Sequence, residues 1–347
     1  MTARPTQRPA EHPSARPAER LLVCGWDDAL PPLLRALDRE AGLRACAIGD
    51  TRAGQLIRAR QATGAPCYQH VREMLRVAEA DVVLAAGARS AAGAAERAAA
   101  RAQDLLLFGP AMDGDALAAA AAAVARHDAA CFVLRPALRR AGFASLGELL
   151  AADSGWQPRA LEIALAGPAG PEALLRDAVA AATALLPLEP AEAIASFAGA
   201  SRATALTFAV QLRYDDGRLV TLTVRDAADA RLRVAIDAHA GRAEVRTSAG
   251  ESDLELALTG ADVQHLLLRD RDLYALEARR VASARARRAD DSASLLTEAT
   301  TLRGIEAALD SGLTQAVAEF APRPALRLLS GRARLTPPSG QLHLVPS

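Results

Sequence analysis

Lysine is absent from this sequence; all 41 basic side chains are arginine. No ammonium is therefore available as a proton donor, a Schiff-base former or a phosphate clamp, because a guanidinium stays protonated near neutral pH. An excess of charge is absent too, since 41 acidic residues balance the arginines to a formal net charge of zero. That balance argues against a general pull toward nucleic acid or an anionic membrane. Cysteine is scarce: Cys24, Cys46, Cys67 and Cys131 lie far apart in apolar runs, with no C-x-x-C pair and no cysteine-histidine cluster at zinc spacing. They read as buried reduced thiols. His70, His127, His239 and His265 are equally scattered, so no metal site is expected. No run reaches the roughly twenty apolar residues of a membrane span; the nearest, the alanine-rich stretch after Leu117, ends in Arg126-His127-Asp128. Residues 1–20, rich in proline and arginine, lack the apolar stretch of a secretory signal. A disordered tail over residues 1–19 and residence in the cytoplasm are the resulting expectations.

What is present is apolar bulk, 51% of the residues, enough for two well-buried domains. Over residues 20–150, short apolar runs at 21–24, 43–48, 81–86, 104–108 and 130–134 alternate with amphipathic, alanine-rich segments such as 28–40 and 115–126. This alternation predicts a Rossmann-like parallel sheet with helices on both faces. Over residues 151–320 strand runs follow one another directly. Residues 204–213 and 218–224 flank a turn at 215–217, and 231–238, 242–247 and 254–259 add further strands. Segments 172–186, 261–280 and 294–318 read as helices, and 321–347 as a loop-rich tail. The fold class is thus α/β, with a C-terminal α+β domain whose sheet is largely antiparallel.

A dinucleotide site needs glycines where the first strand turns into the first helix, so that backbone amides can approach the pyrophosphate. Here the turn reads Gly25-Trp26-Asp27-Asp28-Ala29-Leu30. Only the first glycine of G-x-G-x-x-G is kept. Carboxylates stand where phosphate charge must go, a repulsion on the order of several kcal/mol in a partly desolvated site. Asp27 or Asp28 reads more simply as the helix N-cap. Asp50, 25 residues after Gly25, ends the second strand where a ribose contact is expected, and it reads equally as the cap of a helix starting near Thr51. Trp26 is expected to be exposed at the mouth of the turn. The arginine-rich run 277–288 reads as a solvated helix end.

The succession Arg20 to Gly25, Ala47-Ile48-Gly49-Asp50-Thr51-Arg52-Ala53, Gly64-Ala65-Pro66-Cys67-Tyr68, Asp81-Val82-Val83-Leu84-Ala85 and the late helix at 302–311 resembles the Gfo/Idh/MocA oxidoreductase family over residues 20–320. The resemblance implies NAD or NADP as cofactor, a Glu-Lys-Pro triplet after the fifth strand, and a catalytic histidine on the first helix of the second domain. This chain has Phe108-Gly109-Pro110 at the triplet and Asp177 near the histidine position. A lone aspartate on such a helix reads as a surface or cap residue. Glycine loop, lysine and histidine fail together. The expectation is an impaired or non-catalytic protein without a cofactor, serving as a binding or scaffold partner of itself or of an active paralogue. The alternative is an active NAD(P)-dependent oxidoreductase on a small or sugar-like substrate, with Asp50 on the ribose and Arg89, Arg135 or Tyr68 replacing the lost groups.

Overall fold

The computed structural model describes residues 18–101, 103–108, 114–127, 129–152, 154–247, 254–259, 264–268 and 272–321. The expected tails, apart from residues 18, 19 and 321, and the Gly109-Pro110 pair lie outside the described residues.

Strands β1 (Glu19–Cys24), β2 (Leu43–Gly49), β3 (Cys67–Tyr68), β4 (Val82–Ala86), β5 (Asp104–Phe108) and β6 (Cys131–Leu134) form an all-parallel sheet in the order β3-β2-β1-β4-β5-β6. Parallel strands need crossovers, which α1 (Leu30–Ala41), α2 (Ala53–Thr63), α3 (Val71–Val77), α4 (Ala88–Ala100) and α5 (Gly114–His127) supply. Alternate strand residues serve opposite faces. Leu21, Val23, Leu84 and Phe132 share an apolar cluster with α1, whereas Leu22, Val83 and Leu107 join a cluster that holds α4 and α5 and continues into the second domain. The expected Rossmann-like half is present, with helices on both faces.

After α6 (Ala141–Ala152), strand β7 (Pro158–Gly167) opens the second sheet, and α7 (Pro171–Leu185) covers it. The sheet continues through β8 (Glu192–Ala198), β9 (Thr207–Arg213), β10 (Leu219–Asp226), β11 (Arg231–Ala238), β12 (Arg242–Thr247), β13 (Leu254–Thr259) and β14 (Gln264–Leu268). Helices α8 (Leu273–Arg287) and α9 (Ser292–Ser311) precede a last short strand, β15 (Gln315–Ala316). The order is β14-β13-β12-β11-β7-β10-β9-β8-β15, antiparallel except for the β7–β10 pair. The expected β9–β10 hairpin is present, with Leu219 opposite Arg213.

Three sequence expectations are corrected. Residues 264–268, read as helix, pair with β13 as a strand, because an adjacent sheet edge outweighs the local periodicity of a short apolar run. The last long helix stops at Ser311, where Gly312 at φ 67° ends it in the left-handed region, and residues 315–316 then pair with β8. The third correction concerns the arginine-rich run, which is solvated only in part: Arg279, Arg287 and Arg288 are exposed, whereas Arg280 and Arg285 are drawn inward. It forms α8, which packs on α1 through Ala278, Val281 and Ala284, and its Glu277 is wholly buried. Glu277 accepts from the Arg135 amide at 2.9 Å and lies 2.7 Å from Arg139 and 2.9 Å from Arg280. Arg280 also reaches Asp291 and the Val133 carbonyl, and Arg285 reaches Asp104 at 2.6 Å and Glu19 at 2.7 Å. Arginine's fork of donors matches several acceptors at once, so remote carboxylates draw these side chains inward.

Removing one member of a buried ion group strands its partners, at about 3–5 kcal/mol. Glu277→Ala is therefore expected to lower the unfolding free energy by about that amount in urea denaturation. A loss below about 1 kcal/mol would mean that the arginines find water or other acceptors.

Candidate ligand site

Two places at the carboxyl ends of the parallel strands stand where open α/β sheets bind ligands. The first lies at the switch point between β1 and β4. Gly25 adopts φ 87°, a conformation unfavourable for side-chain-bearing residues, and its amide donates to the Gly49 carbonyl at 2.7 Å. The chain then turns through Asp27, whose Oδ1 accepts from the Ala29 amide at 2.8 Å and whose carbonyl accepts from the Leu30 amide at 3.0 Å. Helix α1 starts at Leu30 with Ala29 as its cap residue and no side-chain cap. Asp27 is thus the acceptor of a preceding turn instead of the N-cap, and Asp28 pairs with Arg58 at 2.7 Å. Pro31 and Pro32 follow and carry no N–H. From Ala29 to Pro32 no backbone N–H is left for an anion, so the helix start lacks the donors on which pyrophosphate binding depends. This proline pair was legible in the sequence and escaped the glycine-centred reading.

Trp26 overturns its expectation. It is 2% exposed, inside the apolar cluster shared with Leu30 and Phe108, and no described residue bonds its Nε1. An indole's large apolar surface favours burial, and the Trp26 amide is anchored to Asp50 Oδ2 at 2.8 Å. Asp50 is also engaged, being 4% exposed. Its Oδ1 accepts from the Arg52 amide at 2.8 Å and its Oδ2 from Arg52 Nη2 at 2.9 Å, while Nη2 donates to the Trp26 carbonyl at 2.7 Å. Burial pushes the Asp50 carboxyl up, yet the bonds from Arg52 and Trp26 outweigh it and hold the group below its ordinary range. Asp50 does not cap the next helix, which begins at Ala53 behind Arg52.

The second recess is a cavity of about 350 Å³ between the two sheets. Phe108 and Leu134 reach it from the ends of β5 and β6, Arg135 and Phe143 from the segment that follows, Leu174 and Asp177 from α7, and Tyr274 from α8. Asp177 lies within the helix with its exposed part lining the cavity, which corrects the surface-or-cap reading. No described residue hydrogen-bonds or ion-pairs with its carboxyl. Desolvation raises the carboxyl above its ordinary value, Arg135 opposes the rise, Glu298 adds to it and Arg176 opposes it. Arg135 is paired with Glu298 on α9.

The remaining candidates lie elsewhere. Phe108 occupies the place of the triplet's first residue and is 6% exposed. Tyr68 is half-buried at the end of β3, and its carbonyl accepts from the Asp50 amide. The side chain of Arg89 lies outside the described residues, as do those of His127 and His265. Cys24 and Cys131 are buried and Cys46 and Cys67 only partly so; burial raises all four thiols, Cys24 to about 12. Among the described residues no group of three histidine, cysteine, aspartate or glutamate side chains is arranged to hold a metal, and no helix is long and apolar enough to cross a membrane.

No protein-family model and no curated protein matches this chain by sequence. Solved structures do match. An oxidoreductase from Agrobacterium radiobacter, in complex with NAD+, L-tartaric acid and magnesium, is 15% identical, with a TM-score of 0.70 over 87% of this chain and 99% of that one. A scyllo-inositol dehydrogenase from Lactobacillus casei with NAD(H) and scyllo-inositol bound is 11% identical, with a TM-score of 0.69 over 87% and 99%. A 3-ketoreductase from Actinomadura kijaniata with NADP and TDP-benzene is 16% identical, with a TM-score of 0.69 over 84% and 98%. The chain therefore has the two-domain fold of the Gfo/Idh/MocA-type oxidoreductases, a fold whose solved examples include NAD(H)- and NADP-bound enzymes.

Asp177 yields a pH-dependent expectation. A carboxyl raised on folding costs stability where it must ionise; the cost is absent below the ordinary value of 3.8 and grows as the pH rises toward the folded value. Asp177→Asn is expected to be more stable than the wild type at about pH 7 and no more stable at about pH 3, as read by thermal unfolding.

Proposed function

We propose that this chain is a non-redox ligand-binding protein built on an oxidoreductase fold, with its dinucleotide crevice closed and its interdomain cavity kept for a small molecule. The observation that carries this reading is the start of α1, where a turn at Asp27 and the prolines at 31 and 32 leave no N–H between Ala29 and Pro32. Asp27 adds negative charge at the same place. Phe108 replaces the triplet's carboxylate and Asp177 stands near the expected histidine, so acid–base assistance to hydride transfer lacks its groups.

One observation favours the competing reading of an active NAD(P)-dependent enzyme. Asp50 and Arg52 stand together at the end of β2, where a ribose or a 2′-phosphate is read in dinucleotide sites. Thermal unfolding with NAD+, NADH, NADP+ and NADPH separates the two. No shift is expected, whereas a nucleotide at a hundredfold excess over its Kd would add about 2.7 kcal/mol. The triple variant Asp27→Gly, Pro31→Ala, Pro32→Ala is expected to gain a measurable shift by restoring donors. Saturable binding and turnover by the wild type, with turnover abolished in Asp50→Ala, would favour the enzyme instead.

We also infer pairing, with a second copy or an active paralogue, through the sheet face opposite α7. Its central register is small and polar, with Ala209, Thr223 and Ala164 side by side, next to an ion network of Arg233, Glu162, Arg242 and Glu244. Thr223→Arg is expected to shift the sedimentation coefficient from dimer to monomer. An unchanged value in a monomeric wild type would remove self-pairing.

A further inference from the structure

Twelve of the seventeen residues lining the interdomain cavity are alanine, leucine, phenylalanine or proline. A polyol placed there would turn most of its hydroxyls toward hydrocarbon, each costing about 1–3 kcal/mol when left unpaired. The wall fits a largely apolar body with one polar end. Its five polar residues are Arg135, Arg140, Arg231, Tyr274 and Asp177. Guanidinium groups only donate hydrogen bonds, a tyrosine hydroxyl donates readily, and a carboxyl donates once protonated. Four of the five, the guanidiniums and the tyrosine, offer donors, so an acceptor fits the polar end of the ligand.

Charge narrows the choice. Arg176 acts on Asp177 from its own helix, Arg135 from the segment after β6, and Glu298 from α9. Tyr274, Arg140 and Arg231 line the same cavity, and Arg176 also lies 3.8 Å from the half-exposed Glu172. The lining sets three guanidiniums, those of Arg135, Arg140 and Arg231, against the single carboxyl of Asp177, an excess of positive groups that an anionic end would offset. We propose that this cavity binds a small hydrophobic monocarboxylic acid, its carboxylate toward Asp177 and Arg135 and its hydrocarbon body against Phe108, Phe143 and Leu174. The inference rests on the ligand-binding reading of the cavity and adds the class of ligand.

Two carboxylates within hydrogen-bond reach do not both stay ionised. As the ligand enters as an anion, one proton is taken from solvent onto Asp177, which then donates to the ligand's carboxylate; no covalent bond forms or breaks. Burial already raises the Asp177 carboxyl, which lowers the cost of that step.

The test uses the full chain and three probes with one body: 2-naphthoate, the uncharged 2-acetylnaphthalene and 2-naphthylmethylammonium, followed by isothermal titration calorimetry. The naphthoate is expected to bind at least tenfold more tightly than the ketone, and the ammonium least of all. At a pH above the folded Asp177 value, uptake of one proton per ligand is expected, read from the dependence of the heat on buffer ionisation enthalpy. Affinity should fall about tenfold per pH unit once the pH exceeds the folded Asp177 value. Asp177→Asn, which keeps a donor, is expected to bind naphthoate without proton uptake and without that pH dependence, and Leu174→Trp, which fills the cavity, to lose binding. Preference for the ammonium, naphthoate binding without proton uptake, or failure of all three probes would overturn the proposal. Repeating the naphthoate titration with NADP+ present keeps the two readings apart. Binding of NADP+ would defeat the closed crevice alone, and failure of naphthoate without any nucleotide binding would defeat the ligand class alone.

Discussion

Glu277 has no exposed surface, and its two oxygens meet the Arg135 amide, Arg139 and Arg280. The group joins two parts of the chain that are far apart in sequence, residues 135–139 and 277–280. Arg280 passes the connection to Asp291, whose carboxylate accepts from the Val133 amide inside β6, and Arg285 ties the far end of α8 to Asp104 and Glu19. Helix α8, reached only after the second sheet has been built, is thereby fixed to the first sheet. Because Arg135 lines the cavity, the same network sets the cavity wall. Charges this deep are costly unless every partner is present, so the junction of the sheets holds as a unit.

The two recesses at that junction have opposite characters. At the β1–α1 turn, Asp50 takes the Trp26 amide, Asp27 takes the Ala29 and Leu30 amides, and Arg52 donates to the Trp26 carbonyl. A satisfied turn is stable and has little left to offer a ligand. In the cavity, Asp177 pays desolvation without a bond in return. A polar group held at a cost in an otherwise consistent structure marks a place where function outweighed stability.

The glycine-poor turn was legible residue by residue, because a tight strand-to-helix turn has strict local needs and the sequence shows Asp27 and Leu30 at the positions concerned. Its consequences for single side chains were not. Trp26 looked like a residue at an open mouth, and only its amide bond to Asp50 and the apolar packing beneath it turn the indole inward. Arg280 and Arg285 looked solvated because four arginines crowd residues 280–288, and their acceptors lie on β1, on β5 and after α8. The resemblance puts Asp177 near a catalytic position, but nothing in its neighbours along α7 announces a cavity formed with Phe108, Leu134 and Tyr274.

The sequence alone determined the two-domain α/β architecture, the all-parallel first sheet, the absence of any ammonium chemistry and the missing glycines, since each follows from local periodicity or from residue type. The tertiary structure decided which arginines are buried, that the helix start has no free donor beyond its prolines, that residues 264–268 are a strand and that Asp177 faces an apolar cavity. Those outcomes depend on which surfaces meet across long chain separations, and partners brought together only by folding leave no periodic trace along the chain.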